Sequence, residues 1–352
     1  MKIFDKIKNK ITKYKKIRKL KHAKYIHLMF NDKFNVPLVN FINKYFDTSE
    51  HFFLCKRSFK EFSMPVGDNV LEVRTYKKDY WKKLKFDKII CHSLFDGEIV
   101  DILYNNKEWL SKAYWGIWGG DLYEAPRDKK NDYVRSHFKG YLTVPDRQET
   151  IARYGTNNNF FETFAIFPIN KEMLDNVVLD NHNYIQIQIN NSCDKSTLEV
   201  LDSLSRFKNE NIKLCTILSY GDLTYKDVIL QKGKEIYGDK FFAILDYLSP
   251  QDYVNHLASN DIMIFNQNRQ QGGGNILASL YLGKKIFIKK EISEFKHLVE
   301  IDNIIIYDTN LIKIMEFNEL IDNSTEEINK KNVKKYFDES YIKKTWDIVF
   351  ND

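Results

Sequence analysis

Short apolar runs alternate with amphipathic segments along almost the whole chain, and this alternation sharply limits what the chain can fold into. Tyr25–Phe30, His51–Lys56, Val70–Tyr76, Lys88–His92, Ala113–Trp118, Tyr141–Val144 and Phe161–Ile166 are four to seven residues long and rich in β-branched or aromatic side chains, the signature of buried strands. Helical periodicity fills several of the gaps, as at Pro37–Asp47, Glu98–Asn105 and Gln148–Tyr154. A second series begins near Tyr184, with strands expected at Tyr184–Asn190, Ile212–Leu218, Phe241–Tyr247, Asp261–Phe265, Lys285–Ile288 and Asn303–Tyr307. Its helices are expected at Ser196–Phe207, Tyr225–Tyr237, Pro250–Ser259, Asn275–Leu282 and Glu291–Val299. Strands alternating with helices imply parallel sheets with helices on both faces, an α/β class. Two such series in 352 residues predict two doubly wound domains, 25–167 and 184–325. The polar stretch Pro168–Asn183 reads as the linker and 326–352 as C-terminal helices. Two such domains facing each other enclose a cleft, and ligands of open α/β sheets bind beyond the carboxyl ends of the strands.

Charge is concentrated at one end. Residues 1–24 hold ten Lys and one Arg against one Asp, so the whole chain's +6 leaves the body at −4. Ile3, Phe4, Ile7, Ile11, Tyr14 and Ile17 recur at helical spacing in this leader. A basic amphipathic helix suits an anionic membrane surface; a solvated basic arm is the other reading. Confinement of positive charge to the leader, with no recognised nucleic-acid module, argues against a nucleic-acid partner. No apolar run approaches the ~20 residues of a membrane span. The leader lacks the pattern of a secretory signal. Cys55, Cys91, Cys193 and Cys215 are scattered without metal-ligand spacing, which predicts a reducing compartment and no structural metal.

Three segments could carry chemistry. Asn268-Arg269-Gln270-Gln271-Gly272-Gly273-Gly274-Asn275 lies between an expected strand and an expected helix. Its glycines allow close backbone approach, and the helix start offers free N–H groups and partial positive charge to a diphosphate. Arg269 adds a fork-shaped cation, with Gln270 and Gln271 as neutral donors. A glycine-permitted turn is the plainer reading. Trp115–Glu124 ends a strand with Trp118, Gly119 and Gly120, then places Asp121 and Glu124 three apart beside Tyr123. A carboxylate here could take an acceptor proton, while Trp and Tyr faces suit sugar rings; equally, Asp121 could cap a helix. Asn190–Ser196 is a polar turn into a helix, able to meet a phosphate or simply to cap. His92 ends another strand of the first series. His182, His256 and His297 read as structural.

With these residues in hand, the chain resembles the bacterial dTDP-N-acetylfucosamine:lipid-linked N-acetylfucosaminyltransferases (4-alpha-L-fucosyltransferases) of enterobacterial common antigen synthesis. Ile117-Trp118-Gly119-Gly120-Asp121-Leu122-Tyr123-Glu124 is similar to that family's IWGADLYE. Arg269-Gln270-Gln271-Gly272-Gly273-Gly274 is similar to RQQGIG, and Asn191-Ser192-Cys193-Asp194-Lys195-Ser196 to NSGDRS. His92 adds support, and the resemblance spans roughly Lys88 to Ile288. It implies a GT-B fold with two facing Rossmann-like domains, an N-terminal acceptor domain and a C-terminal nucleotide-sugar domain. It further implies transfer of a deoxyamino sugar from a dTDP- or UDP-linked donor to a polyprenyl-diphosphate-linked saccharide. The reaction would run without a divalent metal or cofactor, at the cytoplasmic face of the bacterial inner membrane. Gly116 stands where the family often has His, and Gly273 replaces an Ile.

The expected assignments follow. Asn191, Ser192, Asp194, Ser219, Tyr220 and Tyr247 line the nucleotide side, and Arg269, Gln270, Gln271 and Gly272–Asn275 (through Gly273 and Gly274) hold the diphosphate. Asp121 is the acceptor-side base, with Glu124 or His92 as substitutes, and Trp118, Gly119, Gly120 and Tyr123 face the acceptor. Two rivals keep the fold: a nucleotide-sugar epimerase, and a non-catalytic membrane-associated assembly partner.

Overall fold

The computed structural model describes residues 13–76, 84–143, 145–163, 168–178 and 182–352. The chain forms two compact units: one ends at Pro168 and regains Ser340–Asp352, and the other is Ile169–Glu339.

The first unit is built on Tyr25–Phe30 (β1), His51–Lys56 (β2), Val70–Val73 (β3), Lys88–His92 (β4), Ala113–Gly116 (β5), Gly140–Leu142 (β6) and Asn159–Phe161 (β7). They pair in the order β3-β2-β1-β4-β5-β6-β7, every pair parallel. A parallel sheet is covered on both faces, so its strands are apolar throughout rather than alternating. One face packs Leu28, Phe52, Leu54, Ile89, Cys91 and Trp115 against Ile99, Val100 and Leu103 of the Gly97–Asn105 helix. The other packs Met29, Phe53, Cys55 and Ile90 against Leu38, Val39 and Ile42 of Asn35–Tyr45 and against Ile342, Trp346 and Phe350 of Glu339–Asn351. That last helix is tied down by the Tyr25 hydroxyl and the Lys88 ammonium, which both donate to the Phe350 carbonyl, and by Tyr114 and Lys139 at Asp352.

The second unit has Ile185–Ile189 (β8), Ile212–Ile217 (β9), Phe241–Ile244 (β10), Ile262–Phe265 (β11), Lys285–Ile288 (β12) and Tyr307–Asp308 (β13), again all parallel, in the order β10-β9-β8-β11-β12-β13. In both sheets the winding direction reverses beside the first strand: between β1 and β4, and between β8 and β11. At such a switch point the loops leaving the two carboxyl ends diverge and open a crevice.

Three expectations need correction. Pro168–Asn183 is not a free linker where it is described: Lys171–Asp175 is helical, Leu174 is buried, Tyr281 donates to Asp175, and the Val178 N–H donates to Asn255. The strand expected at Asn303–Tyr307 is confined to Tyr307–Asp308. Asn303 is left-handed at φ 53°, and the Asn329 amide bonds both the N–H and the carbonyl of Ile305, satisfying groups that a strand would use. The basic leader also reaches into the first core. Residues 13–20 are helical, Leu20 and Ala23 are buried with β1, and Ile17 packs against them, while Tyr14 is exposed. Ile3, Phe4, Ile7 and Ile11 of the expected stripe lie outside the described residues. Among the described residues no helix is long and apolar enough to cross a membrane.

Candidate functional site

The glycine loop and the Asn190–Ser196 turn leave the two strands that flank the second sheet's switch point, and Trp115–Glu124 leaves β5, one strand beyond the first sheet's. In the second unit, β8 is followed by Asn190, which adopts φ 53°; asparagine is among the residues that best tolerate this region. The Asn190 amide donates to the hydroxyls of Ser196 (3.1 Å) and Thr197 (2.9 Å), and its Oδ1 accepts from the Asn266 N–H just beyond β11 (2.7 Å). Gln267 Nε2 donates to Asn191 Oδ1 at 2.9 Å, and Gln271 Nε2 to Ser192 Oγ at 2.7 Å. The Asn190–Ser196 turn therefore braces the glycine loop. Gly272 has φ 76°, and a Cβ there would lie 2.3 Å from Asn191 Nδ2, so only glycine lets the two loops meet. The helix Gly273–Tyr281 starts at once, with its first turn half-buried. The Asn275 N–H donates to the Gly272 carbonyl (2.8 Å), so Gly273 and Gly274 are the residues whose backbone N–H groups the first turn presents in a fixed geometry at the positive end of the helix.

Around this turn, Arg269 Nη1 donates to the Gln270 carbonyl (3.1 Å), and Lys289 Nζ to Asn268 Oδ1 (2.6 Å). Gln270 Nε2 donates to the buried carboxylate of Glu294, whose Oε1 is 3.4 Å from where a Cβ on Gly273 would stand. Asp194 accepts from the Ser196 N–H, as a helix-start cap does. Ser219 and Tyr220 follow β9. The Cys193 N–H donates to the Tyr220 carbonyl (2.7 Å), joining the β8 and β9 loops, and Tyr247 (67% exposed) stacks on Tyr220 with centroids 6.0 Å apart. Gln267, Lys289 and Glu294 were missed by sequence. Gln267 had an available signal in its adjacency to the loop; Lys289 and Glu294 come from beyond the next strand, where spacing carries no information.

In the first unit, Asp121 is 2% exposed. Its Oδ2 accepts from the Leu94 N–H (2.8 Å) and Trp115 Nε1 (2.7 Å), and its Oδ1 from the Trp118 N–H (2.9 Å). Burial raises its pKa; the three donors and the Arg135 charge pull the other way. A carboxylate so enclosed clamps the β4 and β5 loops together. Glu124, the alternative, is exposed at the end of the short Gly120–Tyr123 helix. Tyr123 donates to Asp146 (2.8 Å).

Trp118 belongs to an aromatic cluster at this carboxyl edge. Its ring meets Phe30 and Phe34 edge-on at 6.0 and 5.1 Å, and Phe30 also meets Phe59 and Phe95. Buried Asn31 builds it: its Oδ1 accepts from the Ser58 and Phe59 N–H groups, and its amide donates to the Phe59 and Phe62 carbonyls. Phe95, 54% exposed, sits on Gly120, where a Cβ would lie 2.4 Å from its ring; Gly119 takes φ 82°.

His92 is buried and hydrogen-bonded to a second histidine, itself bonded to a third: His27 Nδ1 is 2.9 Å from His92 Nε2, and His27 Nε2 is 3.0 Å from His51 Nδ1. Burial lowers the pKa of His92 to about 3 and of His51 to about 4, and lowers that of His27 well below the usual value. Above pH ~6.5 the folded and unfolded chains both keep these rings neutral. As pH falls below that value the unfolded chain binds protons that the folded chain refuses, so stability is lost down to the folded values. The slope approaches about 1.4 kcal/mol per pH unit for each histidine kept neutral. Denaturant midpoints measured between pH 7 and 5 should fall steadily; a flat profile would contradict three neutral buried rings.

The sequence matches no protein-family model. The structure is similar to a glycosyltransferase from Rickettsia africae ESF-5, with TM-score 0.65 and 13% identity over 93% of this chain and 98% of that one. It is similar to Anabaena HepE in complex with UDP and glucose, with TM-score 0.64 and 9% identity over 94% of this chain and 100% of that one. It is also similar to a putative UDP-N-acetylglucosamine 2-epimerase from Listeria monocytogenes, with TM-score 0.53 and 10% identity over 92% and 94% of the two chains. The chain has the α/β GT-B fold.

Proposed function

We propose that the protein is a glycosyltransferase whose second unit holds a nucleoside-diphosphate sugar and whose first unit receives the acceptor. The observation that carries this reading is the braced Gly272–Asn275 turn at the second sheet's switch point. Its backbone N–H groups and helix dipole stabilise the diphosphate as the bond to the sugar breaks, with Arg269 as the nearby cation. Glu294 is a hydrogen-bond acceptor for sugar or ribose hydroxyls, and Tyr220 with Tyr247 offers faces to a base. Solved structures of this fold with a glycosyltransferase name and with bound UDP and glucose support the donor class. The finer reading follows the motif resemblance: a deoxyamino sugar of N-acetylfucosamine type, carried by dTDP or UDP, passes to a polyprenyl-diphosphate-linked saccharide. The aromatic cluster around Trp118, exposed at Phe59 and Phe95, supports an acceptor with apolar surface, and residues 1–24 provide contact with an anionic inner-membrane surface. No metal or cofactor takes part in this scheme.

Thermal unfolding with dTDP, UDP, GDP and CMP tests it. A nucleoside diphosphate at about a hundred times its dissociation constant stabilises its binder by about 2.7 kcal/mol. The expected result is a rise with dTDP or UDP and little change with CMP; no rise with any of the four overturns the reading. The Listeria likeness keeps an epimerase in view, and conversion of a nucleotide sugar with no acceptor present would select it.

A further inference from the structure

The three histidines occupy one face of the first sheet along a diagonal. His51 is the first residue of β2, His27 lies mid-strand in β1, and His92 is the last residue of β4. Register places His27 beside Phe53 and Ile90, so His51 and His92, each two residues from those partners, share its face. The chain of rings therefore runs from the amino-terminal edge of the sheet to the carboxyl edge, where His92 adjoins the β4 loop clamped by Asp121. Trp346 and Phe350 of the last helix, with Phe46 and Phe53, wall it with apolar rings.

We propose that His92, His27 and His51 form a proton-relay chain that leaves His92 Nδ1 as the nitrogen able to accept a proton at the carboxyl edge and moves the resulting charge to His51. It rests on the glycosyl-transfer reading for the source of that proton, the acceptor hydroxyl. A hydrogen bond between two neutral imidazoles needs one N–H and one bare nitrogen, so two bonds in series give all three rings the same polarity. With each ring protonated at Nε2, His92 donates to His27 Nδ1 and His27 donates to His51 Nδ1. When the hydroxyl proton arrives at His92 Nδ1, its Nε2 proton passes to His27 Nδ1. The His27 Nε2 proton passes to His51 Nδ1, and His51 ends as the single cation. His92 and His27 finish neutral, and the one charge rests on His51, itself only 2% exposed, where a nearby counter-charge must offset the cost of a buried ion. Asp47 acts on His51 and favours its protonated form, which makes this the better end for the charge. Titratable groups on this side include Tyr25, whose ring packs on His51, and Lys88, which both donate to the Phe350 carbonyl, and Tyr45, Cys55 and Tyr114 of the same packed layer. In this scheme His92 is the base, and His27 and His51 are positioning residues.

Nitrogen-15 spectra of histidine-labelled full-length protein test the chain independently of any activity. The expected result at pH 7.5 is the Nε2–H tautomer for all three rings, with His51 the first to gain a second proton on acidification. An Nδ1–H tautomer at His92, or His92 protonating before His51, overturns the relay. Asp47→Asn, a surface change at the opposite edge, should lower the His51 midpoint and reduce the turnover rate a few-fold, with KM and melting temperature unchanged. His27→Phe, which keeps the packing on Phe53, should reduce turnover at least about tenfold, in the range of general acid–base effects, and leave nucleotide-induced stabilisation intact. Expected spectra in a protein that transfers no sugar would sink the functional reading and leave the chain standing. Full turnover in both variants, or a rate loss matched by a fall in melting temperature, would sink the relay alone.

Discussion

Replacing Gly272 by alanine is expected to weaken nucleoside-diphosphate binding by about a hundredfold or more. The residue stands at φ 76°, where a Cβ costs roughly 1–2 kcal/mol before any contact is considered. That Cβ would also lie 2.3 Å from Asn191 Nδ2, on the side chain that receives Gln267 Nε2. The glycine loop and the Asn190–Ser196 turn would have to separate, and the N–H groups at the start of Gly273–Tyr281 would lose their preset direction. About 3 kcal/mol in all corresponds to roughly a hundredfold in affinity. Titration calorimetry with the best nucleotide from the thermal screen measures it directly. Asn191→Ala in the same chain should recover part of the loss by opening the space. Unchanged affinity in Gly272→Ala would mean that the diphosphate sits elsewhere.

The second large effect is expected at Asp121, and it is one of stability. Asp121→Asn keeps the shape but turns an NH2 toward a site where three N–H donors already point at two carboxylate oxygens. At least one buried donor is left facing a donor, and buried Arg135 loses a negative neighbour. Such losses cost about 2–4 kcal/mol, a large part of a domain's stability. Denaturant unfolding should show an early transition for the first unit, while nucleotide binding by the second stays near normal. From sequence, the same substitution would be expected to stop turnover and leave nucleotide binding near normal. An Asp121→Asn protein that unfolds like the parent but is inactive would support the carboxylate as the base.

These two positions show how far the sequence could be read. The β1, β2, β4, β9 and β12 runs are legible because a strand buried on both faces must be apolar along its whole length, a local property. A strand end was less legible where a distant side chain intervenes, as Asn329 does at Ile305. Asp121 illustrates the deeper difficulty. Its spacing after Gly119-Gly120 fits a catalytic carboxylate and a structural clamp equally well, and the donors that decide between them include Leu94, 27 residues away.

The sequence alone thus determined that this chain makes two doubly wound α/β units and that a glycine-rich, Arg-bearing loop leaves a strand and starts a helix. Periodicity and turn chemistry are written within a few neighbouring residues. Tertiary structure alone decided that Asn191 and Ser192 hold that loop, that Asn31 gathers the rings around Trp118, and that His51, His27 and His92 bond in series. Each of these joins segments brought together by parallel register or by two loops leaving one sheet edge. Such contacts depend on strand order, which no local pattern encodes.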